Sequence, residues 1–321
     1  SLFEQIGLAS ELQHEIGDIR DPAAVERSLR AAEPDFVFHL AAQPLVRLSY
    51  GEPVETYAAN VMGTVHVLDS LRRLDRRCTA VFVTTDKCYE NREWVHSYRE
   101  EDPLGGYDPY SSSKAAAEIA IAAYRRSFFG SHPVKIASAR AGNVIGGGDW
   151  ALDRIVPDCI RALQRGEAIP VRNKRSTRPW QHVLEPLSGY LCLAARIASD
   201  ANESSLCSPF NFGPALASNR TVADLVQELL KHGPGEWVDH SDPNAVHEAA
   251  LLNLATDKAF HLLGWSPVWP FAKTLEKTAA WYRSANHVGA DRRAELLRLT
   301  QAQIEAYECD ASDMALPWTK S

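Results

Sequence analysis

The stretch "TAVFVTTDKCY" (79 to 89) opens as a short run of apolar and β-branched residues and ends in polar ones. Two similar runs, "DFVFHL" (35 to 40) and "VKIASAR" (134 to 140), lie on either side of it in the chain. The segments between the runs, "VETYAANVMGTVHVLDSLRRL" (54 to 74) and "SSSKAAAEIAIAAYRRSF" (111 to 128), have helical periodicity. Strands that alternate with helices predict an α/β fold built on a doubly wound parallel sheet.

Polar or small residues follow each of the three strands, as "HLAAQ" (39 to 43), "TTDKCY" (84 to 89) and "ARAGNV" (139 to 144). Ligands of open parallel sheets bind at the carboxyl ends of the strands, so we expect these three segments to form one site. Any one of them alone is also what an ordinary turn from strand to helix contains. The prediction of a site therefore depends on their combination.

The pattern changes after residue 144, where Gly, Pro and Trp-rich connections such as "GGGDW" (146 to 150) and "WSPVWP" (265 to 270) become frequent. Helices are predicted at 222 to 232, with Thr221 as the capping residue, and at 271 to 285. We predict a sheet domain at 1 to 144 and a smaller α/β domain at 145 to 321. A short strand near 209 to 213, "PFNFG", is expected to return to the large sheet.

Composition indicates a protein that acts on small molecules. The 34 basic and 41 acidic residues give a formal charge of −7, which provides no basic surface for nucleic acid. No long unbroken apolar run predicts a membrane span. The six cysteines form no Cys-x-x-Cys pair, so we predict neither a disulfide framework nor a metal site, and we expect a reducing cytoplasm.

The segment "YDPYSSSKAAAE" (107 to 118) places Tyr110 four residues before Lys114. Positions i and i+4 share one face of a helix, so the ammonium group of Lys114 can lie near the phenol of Tyr110. A neighbouring positive charge lowers the pKa of a tyrosine and brings it closer to proton exchange with a substrate hydroxyl. The alternative is that both residues simply lie on a solvated helix face, which a single Tyr-x-x-x-Lys spacing does not exclude.

Five segments taken in order resemble the extended short-chain dehydrogenase/reductase family, and within it the enzymes that dehydrate nucleotide sugars. They are "HLAAQPLV" (39 to 46), "TTDKCYEN" (84 to 91), "YDPYSSSK" (107 to 114), "ARAGNVIGGGDW" (139 to 150) and "RPWQHVLEPLSGYL" (178 to 191). The resemblance implies a Rossmann-like fold, bound NAD, and a hydro-lyase that converts CDP-glucose, or a similar nucleotide sugar, to its 4-keto-6-deoxy form. It also implies a homodimer that pairs the helices near 54 to 74 and 110 to 128 as a four-helix bundle.

The chain departs from this family at its beginning. The family's glycine-rich turn, which places the cofactor pyrophosphate at a helix N-terminus, has no counterpart here. The triplet "GGG" (146 to 148) is no substitute, because it follows a later strand and opens no phosphate-binding helix. We expect that roughly 35 to 40 residues, about one strand-helix-strand unit with the first two strands of the sheet, precede this sequence.

The resemblance assigns chemical roles to five residues. Tyr110 would take the proton of the carbon 4 hydroxyl, Lys114 would support Tyr110 and hold the nicotinamide ribose, and Thr85 would hydrogen-bond the reacting oxygen. Asp86 would protonate the departing carbon 6 hydroxyl, although a carboxylate at a strand end also suits a simple turn. Lys87 stands where the TDP-glucose branch has a glutamate. It would act either as the neutral base that removes the carbon 5 proton or as a cation that stabilises the enolate.

The resemblance also implies two sets of binding residues. Asn60 would fix a helix and a nearby backbone turn. The cofactor would contact Asp18 and Ile19 of "GDIRD", the strip Leu40, Ala41, Ala42 and Gln43, and the pair Tyr110 and Lys114. The substrate diphosphate would lie near Asn143, Arg154 and Arg178, because a guanidinium group pairs with phosphate in two-point fashion. Trp180 and His182 would line the same wall, with a structural role for His182 as the alternative.

Two other functions fit parts of this pattern. A nucleotide-sugar 4-epimerase shares the tyrosine, the lysine and the transient ketone, but it needs no acid and base for elimination, so the "TDK" triplet favours a dehydratase. A binding protein without catalysis, built on a degenerate copy of the fold, would tolerate the absent glycine turn. Retention of the later catalytic positions argues against that function.

Overall fold

A four-stranded parallel sheet lies at the centre of the computed structural model, which describes residues 1 to 200, 203 to 241, 251 to 286 and 291 to 320 of the 321 in the chain. The described strands are β1 (Phe36–His39), β2 (Cys78–Val83), β3 (Val134–Ala141), β4 (Val144–Ile145), β5 (Ile169–Val171), β6 (Thr177–Pro179), β7 (Gln181–His182), β8 (Pro209–Phe212), β9 (Asn219–Thr221) and β10 (Trp237–Asp239). The central sheet has the order β1-β2-β3-β8. The strands predicted near 35, 79, 134 and 209 are therefore confirmed, and all four pair in parallel.

Helices of the described residues cover both faces of this sheet and also form much of the later part of the chain. They are α1 (Leu2–Gln5), α2 (Pro22–Ala32), α3 (Val46–Gly51), α4 (Pro53–Tyr57), α5 (Gly63–Leu71), α6 (Pro109–Ser127), α7 (Ile155–Gln164), α8 (Leu184–Ser199), α9 (Val222–Leu230), α10 (Asp257–Leu263), α11 (Phe271–Asn286) and α12 (Arg292–Asp313). A short π-helix, Ala58–Met62, joins α4 to α5 without a break. The helices predicted near 54 to 74, 110 to 128, 222 to 232 and 271 to 285 are confirmed, and Thr221 caps α9 as predicted.

Two apolar layers hold the sheet between its helices. On one face Phe82 and Ile136 pack with residues of α5 and α6, including Leu68 and Ile121. On the other face residues of β3 and β8 pack against α8 and α10, with Trp265 among them. Strands β2 and β3 are buried along nearly their whole length, which explains why the sequence shows them as continuous apolar runs.

A separate apolar cluster holds the later part of the chain together. It contains residues of α7, β5, α9, α11 and α12, and Trp281 and Tyr282 are among its largest side chains. Ile6, from the loop after α1, belongs to the same cluster, so the first helix packs with the later part of the chain. The division into residues 1 to 144 and 145 to 321 stays a prediction.

Candidate active site

The carboxyl ends of β2 and β3 open into a cavity of about 1430 Å³. Residues of the predicted segments 84 to 89 and 139 to 144 line it, together with residues of the later part of the chain, whereas none of residues 39 to 43 does. Of the residues predicted to act in the site, those that line this cavity are Thr85, Lys87, Tyr110, Asn143, Arg154, Arg178 and Trp180. The structure therefore brings together seven side chains that are widely separated in the sequence.

Asp86 lies beneath the cavity floor in a short 3-10 turn, Asp86–Cys88, that directly follows β2. Its carboxylate is buried and accepts three hydrogen bonds: from Thr85 Oγ1 at 3.0 Å, from Lys87 Nζ at 3.4 Å and from Asn143 Nδ2 at 3.1 Å. The Lys87 side chain is 25% exposed, so its ammonium group reaches from the buried carboxylate toward the cavity. The turn thus presents the amine of Lys87 to a ligand, with the buried Asp86 carboxylate hydrogen-bonded behind it.

The backbone after β3 is shaped to receive the Asp86 carboxylate. A Cβ atom on Gly142 would stand 2.0 Å from Asp86 Cγ, so only glycine fits at this position. Asn143 adopts a left-handed conformation with φ 52°, which asparagine tolerates better than most residues. This conformation places its side-chain amide on Asp86 Oδ2. The sequence pair Gly142 and Asn143 is therefore explained by the position of Asp86.

Tyr110 is the second residue of α6, whose first turn is capped by Asp108 through a 2.9 Å hydrogen bond from the Ser111 amide. Its own amide donates to Ser49 Oγ at 3.1 Å. Burial raises the pKa of Tyr110 to about 12, and a hydrogen bond with Thr85 and the charge of Arg154 oppose that rise. The lowered pKa expected from the spacing to Lys114 is therefore wrong for this structure, because the loss of hydration outweighs both of these effects.

Lys114 lies one turn further along α6 and is also buried. Its Nζ atom donates to the carbonyl oxygen of Val83, at the end of β2, at 3.5 Å. Burial lowers the pKa of Lys114 to about 8, and the carboxylate of Glu118 opposes that change. Burial of the His39 ring, together with the charge of Lys114, lowers the pKa of His39 to about 4. At neutral pH the pair is thus a mainly charged lysine beside a neutral histidine.

Asn60 fixes the turn after β1 to the start of α6, as predicted for it. From the π-helix its side-chain oxygen accepts from the Gln43 amide at 2.8 Å, while Nδ2 donates to Gln43 O at 3.1 Å and to Ser113 Oγ at 2.9 Å. The extra residue of the π turn lets one side chain reach both elements. Asn60 therefore couples the predicted cofactor strip to the helix of Tyr110 and Lys114.

The predicted cofactor contacts other than Tyr110 lie outside the cavity lining. Leu40 is 52% exposed at the end of β1, and Ala41 is exposed beside it, whereas Ala42 and Gln43 are half-buried. Asp18 is an exposed carboxylate bound by Arg20 at 2.6 Å, and this pairing lowers the pKa of Asp18 to about 2. Ile19 packs against Gly63 at the start of α5. Their cofactor roles stay predictions.

The predicted substrate residues divide into two groups. Arg154 bonds Asp149 at 2.9 Å, and Arg178 bonds Ser176 Oγ at 2.6 Å, and both guanidinium groups line the cavity. Trp180 lines it from a nearly buried position, with Nε1 on the Arg220 carbonyl at 3.0 Å. His182, in contrast, lies outside the lining.

The surroundings of His182 fit a structural role, which is the alternative to contact with substrate. Its ring packs edge-on against Trp269 with centroids 4.8 Å apart, and Nδ1 accepts from the Leu184 amide at 3.3 Å. Burial and the charge of Lys277 lower its pKa to about 3. The expectation that His182 shares the wall of Trp180 is therefore not met. Trp180 lies between β6 and β7 rather than in one regular strand with His182, and the His182 ring is buried against Trp269.

Several cavity residues have no counterpart in the sequence prediction. Arg47, Tyr107 and Arg172 also line the cavity. Arg172 is held by Asp153 at 2.7 Å and Asp158 at 2.9 Å, and Arg47 lies 3.9 Å from Asp153. Arg47 lies in the short helix α3, and Tyr107 and Arg172 lie in irregular segments, so no periodic pattern reveals which side faces a ligand.

Among the described ranges, no group of three or more His, Cys, Asp or Glu side chains is arranged to hold a metal ion. In those same ranges no helix has both the length and the apolar character needed to cross a membrane.

The parallel sheet, the cavity at its carboxyl edge and the Tyr110 and Lys114 pair on α6 define the class of protein, a short-chain dehydrogenase/reductase of the extended type. The chain belongs to the GDP-mannose 4,6-dehydratase family, whose model matches residues 4 to 278. This membership confirms the resemblance expected from the five sequence segments.

Individual relatives agree with that membership. The chain is 46% identical over 291 residues to the CDP-glucose 4,6-dehydratase of Salmonella typhimurium, with 88% of this chain and 80% of that protein covered. It is 25% identical to a double mutant of dTDP-glucose 4,6-dehydratase from Streptomyces venezuelae solved with NAD, with a TM-score of 0.71 and coverage of 83% and 78%. A UDP-glucose 4-epimerase from Thermotoga maritima has a TM-score of 0.71, 22% identity and 84% coverage of each chain, a likeness that shows the fold alone.

Proposed function

We propose that this protein dehydrates CDP-glucose to CDP-4-keto-6-deoxyglucose with bound NAD. The observation that carries the proposal is Lys87, which lines the cavity with Tyr110 and pairs at 3.4 Å with the buried carboxylate of Asp86. Elimination of water from a keto sugar needs an acid for the leaving hydroxyl and a group that manages the carbon 5 proton. The relative at 46% identity is a CDP-glucose 4,6-dehydratase, which supports cytosine as the base.

NAD fits the exposed surface beside the cavity. Leu40 and Ala41 form an exposed strip of apolar and small side chains at the end of β1, and small residues allow a planar ligand to approach the backbone. The buried ammonium of Lys114 bonds the Val83 carbonyl and acts on His39, the residue before this strip, and it would hold ribose hydroxyls. When bound, NAD would supply the hydride acceptor for the oxidation at sugar carbon 4 and the hydride for the later reduction at carbon 6.

Thr85 and Tyr110 serve the oxidation at carbon 4 in this proposal. Both line the cavity, and a hydrogen bond joins them. The Thr85 hydroxyl holds the reacting oxygen, and Tyr110 takes its proton. Because burial keeps the phenol protonated at neutral pH, the ammonium of Lys114 is needed to stabilise the phenolate that does this work.

Asp86 and Lys87 serve the elimination across carbons 5 and 6. The ketone at carbon 4 acidifies the carbon 5 proton, which Lys87 removes or whose loss it assists by stabilising the enolate. Asp86 gives a proton to the carbon 6 hydroxyl as it leaves. Asn143 holds Asp86 Oδ2 at 3.1 Å, and this hydrogen bond keeps the carboxyl oriented throughout.

Arg154 and Arg178 would bind the substrate diphosphate. Both guanidinium groups line the cavity and are fixed by neighbours, Asp149 for the first and Ser176 for the second. Guanidinium groups that are already ordered lose less entropy when they bind a phosphate. Trp180 would complete that wall.

The test is an assay of purified protein with NAD and CDP-glucose. We expect loss of water from the sugar and a product that absorbs as a 4-keto sugar in alkali, with turnover strongly reduced in Asp86→Asn and Lys87→Met. CDP-galactose as the product would instead identify a 4-epimerase, and binding without turnover would identify a binding protein. Parallel assays with UDP-glucose and dTDP-glucose decide the base.

We also propose a cytoplasmic homodimer. Supporting residues are exposed apolar side chains on the paired helices: Val54 at 75%, Tyr57 at 40%, Met62 at 48% and Ile119 at 58%. Burial of such a surface against a second copy would remove it from water. Sedimentation at micromolar concentration is expected to give a dimer, and a Tyr57→Asp variant is expected to shift it toward monomer. A wild-type monomer would contradict the proposal.

A further inference from the structure

Glu118 carries a buried charge that the proposed chemistry does not use. It lies on α6 one turn beyond Lys114 and is 3% exposed. Its Oε2 atom accepts from Arg140 Nη2 at 2.8 Å and from Ser138 Oγ at 2.9 Å, both on β3. Its Oε1 atom accepts from Thr84 Oγ1 at 2.5 Å. These three hydrogen bonds, one of them from a charged guanidinium group, stabilise the buried carboxylate.

Arg140, the ionic partner, extends the same network behind the active site. Its Nη1 atom donates to Tyr89 Oη at 2.8 Å and to the Glu100 carbonyl at 2.9 Å, and Tyr89 donates to Asn211 Oδ1 on β8 at 2.7 Å. The pair therefore connects α6, β3, β8 and the loop that follows the Asp86 turn. A buried ion pair of this kind contributes little net stability, so its value lies in fixing the geometry around it.

Thr84 is the point where the network meets the chemistry. It is the residue after β2 and directly precedes Thr85, and its amide donates to the Ala139 carbonyl at 2.8 Å. Its hydroxyl is turned onto Glu118, while the next residues form the turn that presents Asp86 and Lys87. At its far end the backbone of this turn is held by hydrogen bonds from Cys88 N to Thr85 O at 3.4 Å and from Gly105 N to Cys88 O at 2.9 Å, so Thr84 is its fixed point on the side of β2.

We propose that Glu118 is a positioning residue for the reaction, which acts through the Thr84 hydroxyl to fix the turn that carries Thr85, Asp86 and Lys87. The role rests on the proposed dehydratase function for its kinetic consequence, but its structural consequence can be measured without turnover. Ser138 provides a matched comparison, since it donates the same kind of hydrogen bond to the same carboxylate from β3, outside the cavity lining.

The first test compares Thr84→Val with Ser138→Ala. Each variant removes one hydroxyl hydrogen bond to Glu118, so the two are expected to lower the melting temperature similarly. Thr84→Val is expected to lower kcat by about 10- to 100-fold with KM within about threefold, because small misplacements of reacting groups have large kinetic effects. Ser138→Ala is expected to keep kcat within about twofold. Thr84→Ser, which retains the hydroxyl, should restore kcat.

A double variant separates this role from direct contact of Thr84 with substrate. If Thr84 acts through Glu118, the double variant Thr84→Val, Glu118→Gln has the same kcat as Glu118→Gln alone. Both changes disturb the same hydrogen bond between Thr84 and Glu118, so their effects do not add. The proposal would be overturned if the losses of kcat in the double variant add, or if Thr84→Val and Ser138→Ala lose kcat equally. Should the buried Glu118→Gln change prevent folding, the comparison of Thr84 with Ser138 still decides.

Amide hydrogen exchange tests the same link without activity. In Thr84→Val, exchange of the peptide covering 84 to 89 is expected to quicken about tenfold relative to wild type, whereas in Ser138→Ala it stays unchanged. Unchanged exchange in Thr84→Val would overturn the positioning role whatever the enzyme turns over. Absence of CDP-glucose turnover by the wild-type protein, with quickened exchange in Thr84→Val, would contradict only the proposed function.

Discussion

At the scale of single residues, Tyr110 is the side chain whose loss should matter most to the rate. Tyr110→Phe keeps the aromatic ring, which lines the cavity, and removes the hydroxyl that exchanges a proton with the substrate. We expect kcat to fall by about 10²- to 10⁴-fold, the usual contribution of a general base. The dissociation constant for CDP-glucose, measured by calorimetry, should stay nearly unchanged. Wild-type turnover by this variant would remove Tyr110 from the mechanism.

Lys87 allows two mechanisms to be distinguished. If it is the carbon 5 base, Lys87→Met stops water loss, and no deuterium from solvent enters carbon 5 of recovered substrate. If it acts only as a cation paired with Asp86, the variant slows but still exchanges deuterium. Mass spectrometry of the sugar after incubation in D₂O measures this. Unchanged rate and exchange would show that Lys87 has neither role. We favour the base.

The sequence predicted which residues meet better than it predicted their electrostatics. Helical spacing placed Tyr110 and Lys114 on one face of α6, and the structure confirms that both are in the same helix. The direction of the Tyr110 pKa shift was wrong, because burial is set by how distant segments pack over the residue. His182 is a similar case, since Trp269, which covers it, lies far away in the sequence.

At the scale of elements, the turn after β3 depends on Gly142. Gly142→Ala would place a methyl group 2.0 Å from the carboxylate of Asp86, so either the turn or the acid must move. We expect a loss of activity of at least about 100-fold, because displacement of a reacting group has effects of this order. Gly130→Ala is the matched control, since nothing lies within 4 Å of its added Cβ. Equal activity in the two variants would contradict this account.

Elements with a regular pattern of apolar residues were predictable from the sequence, whereas α12, the longest helix among the described residues, was not. Buried strands and helices α6, α9 and α11 appear as apolar runs or as regular apolar stripes. Helix α12 has 22 residues, of which Leu296, Gln303, Tyr307 and Ala311 are buried. Two of these four are polar or half-polar, so the helix shows no apolar stripe. What holds it is a specific polar contact, which no local pattern reveals.

At the scale of the whole molecule, that contact joins the C-terminal helix to the sheet layer. Glu185 on α8 is buried and accepts from Trp269 N at 2.6 Å, Val268 N at 2.9 Å and Tyr307 Oη at 2.7 Å. Tyr307 belongs to α12, and Trp269 Nε1 also donates to Asp310 of that helix at 2.6 Å. The carboxyl group of Glu185 thus connects three parts of the chain: helix α8, helix α12, and the segment that precedes α11.

This arrangement predicts how stability varies with pH. Burial raises the pKa of Glu185 to about 7, against 4.5 for an ordinary glutamate, although its three hydrogen bonds oppose the rise. The folded state therefore binds the proton more tightly than the unfolded state. Between about pH 4.5 and 7 the folded protein holds a proton that the unfolded chain has released, so this group makes the free energy of unfolding fall as the pH rises, by about 3 kcal/mol in all.

Glu185→Gln removes this titration and isolates its effect. The amide keeps one oxygen acceptor but turns an amino group toward a donor, so the variant should be less stable than wild type near pH 5. As the pH rises to about 7.5, wild type loses the contribution of its protonated carboxyl and the variant does not, so the difference between them should shrink. Urea unfolding midpoints of both proteins, measured from pH 5 to 8, give that difference directly, with titrations elsewhere in the molecule cancelling. A difference that stays constant across this range would show that Glu185 does not titrate within it, and that α12 is held independently of its protonation.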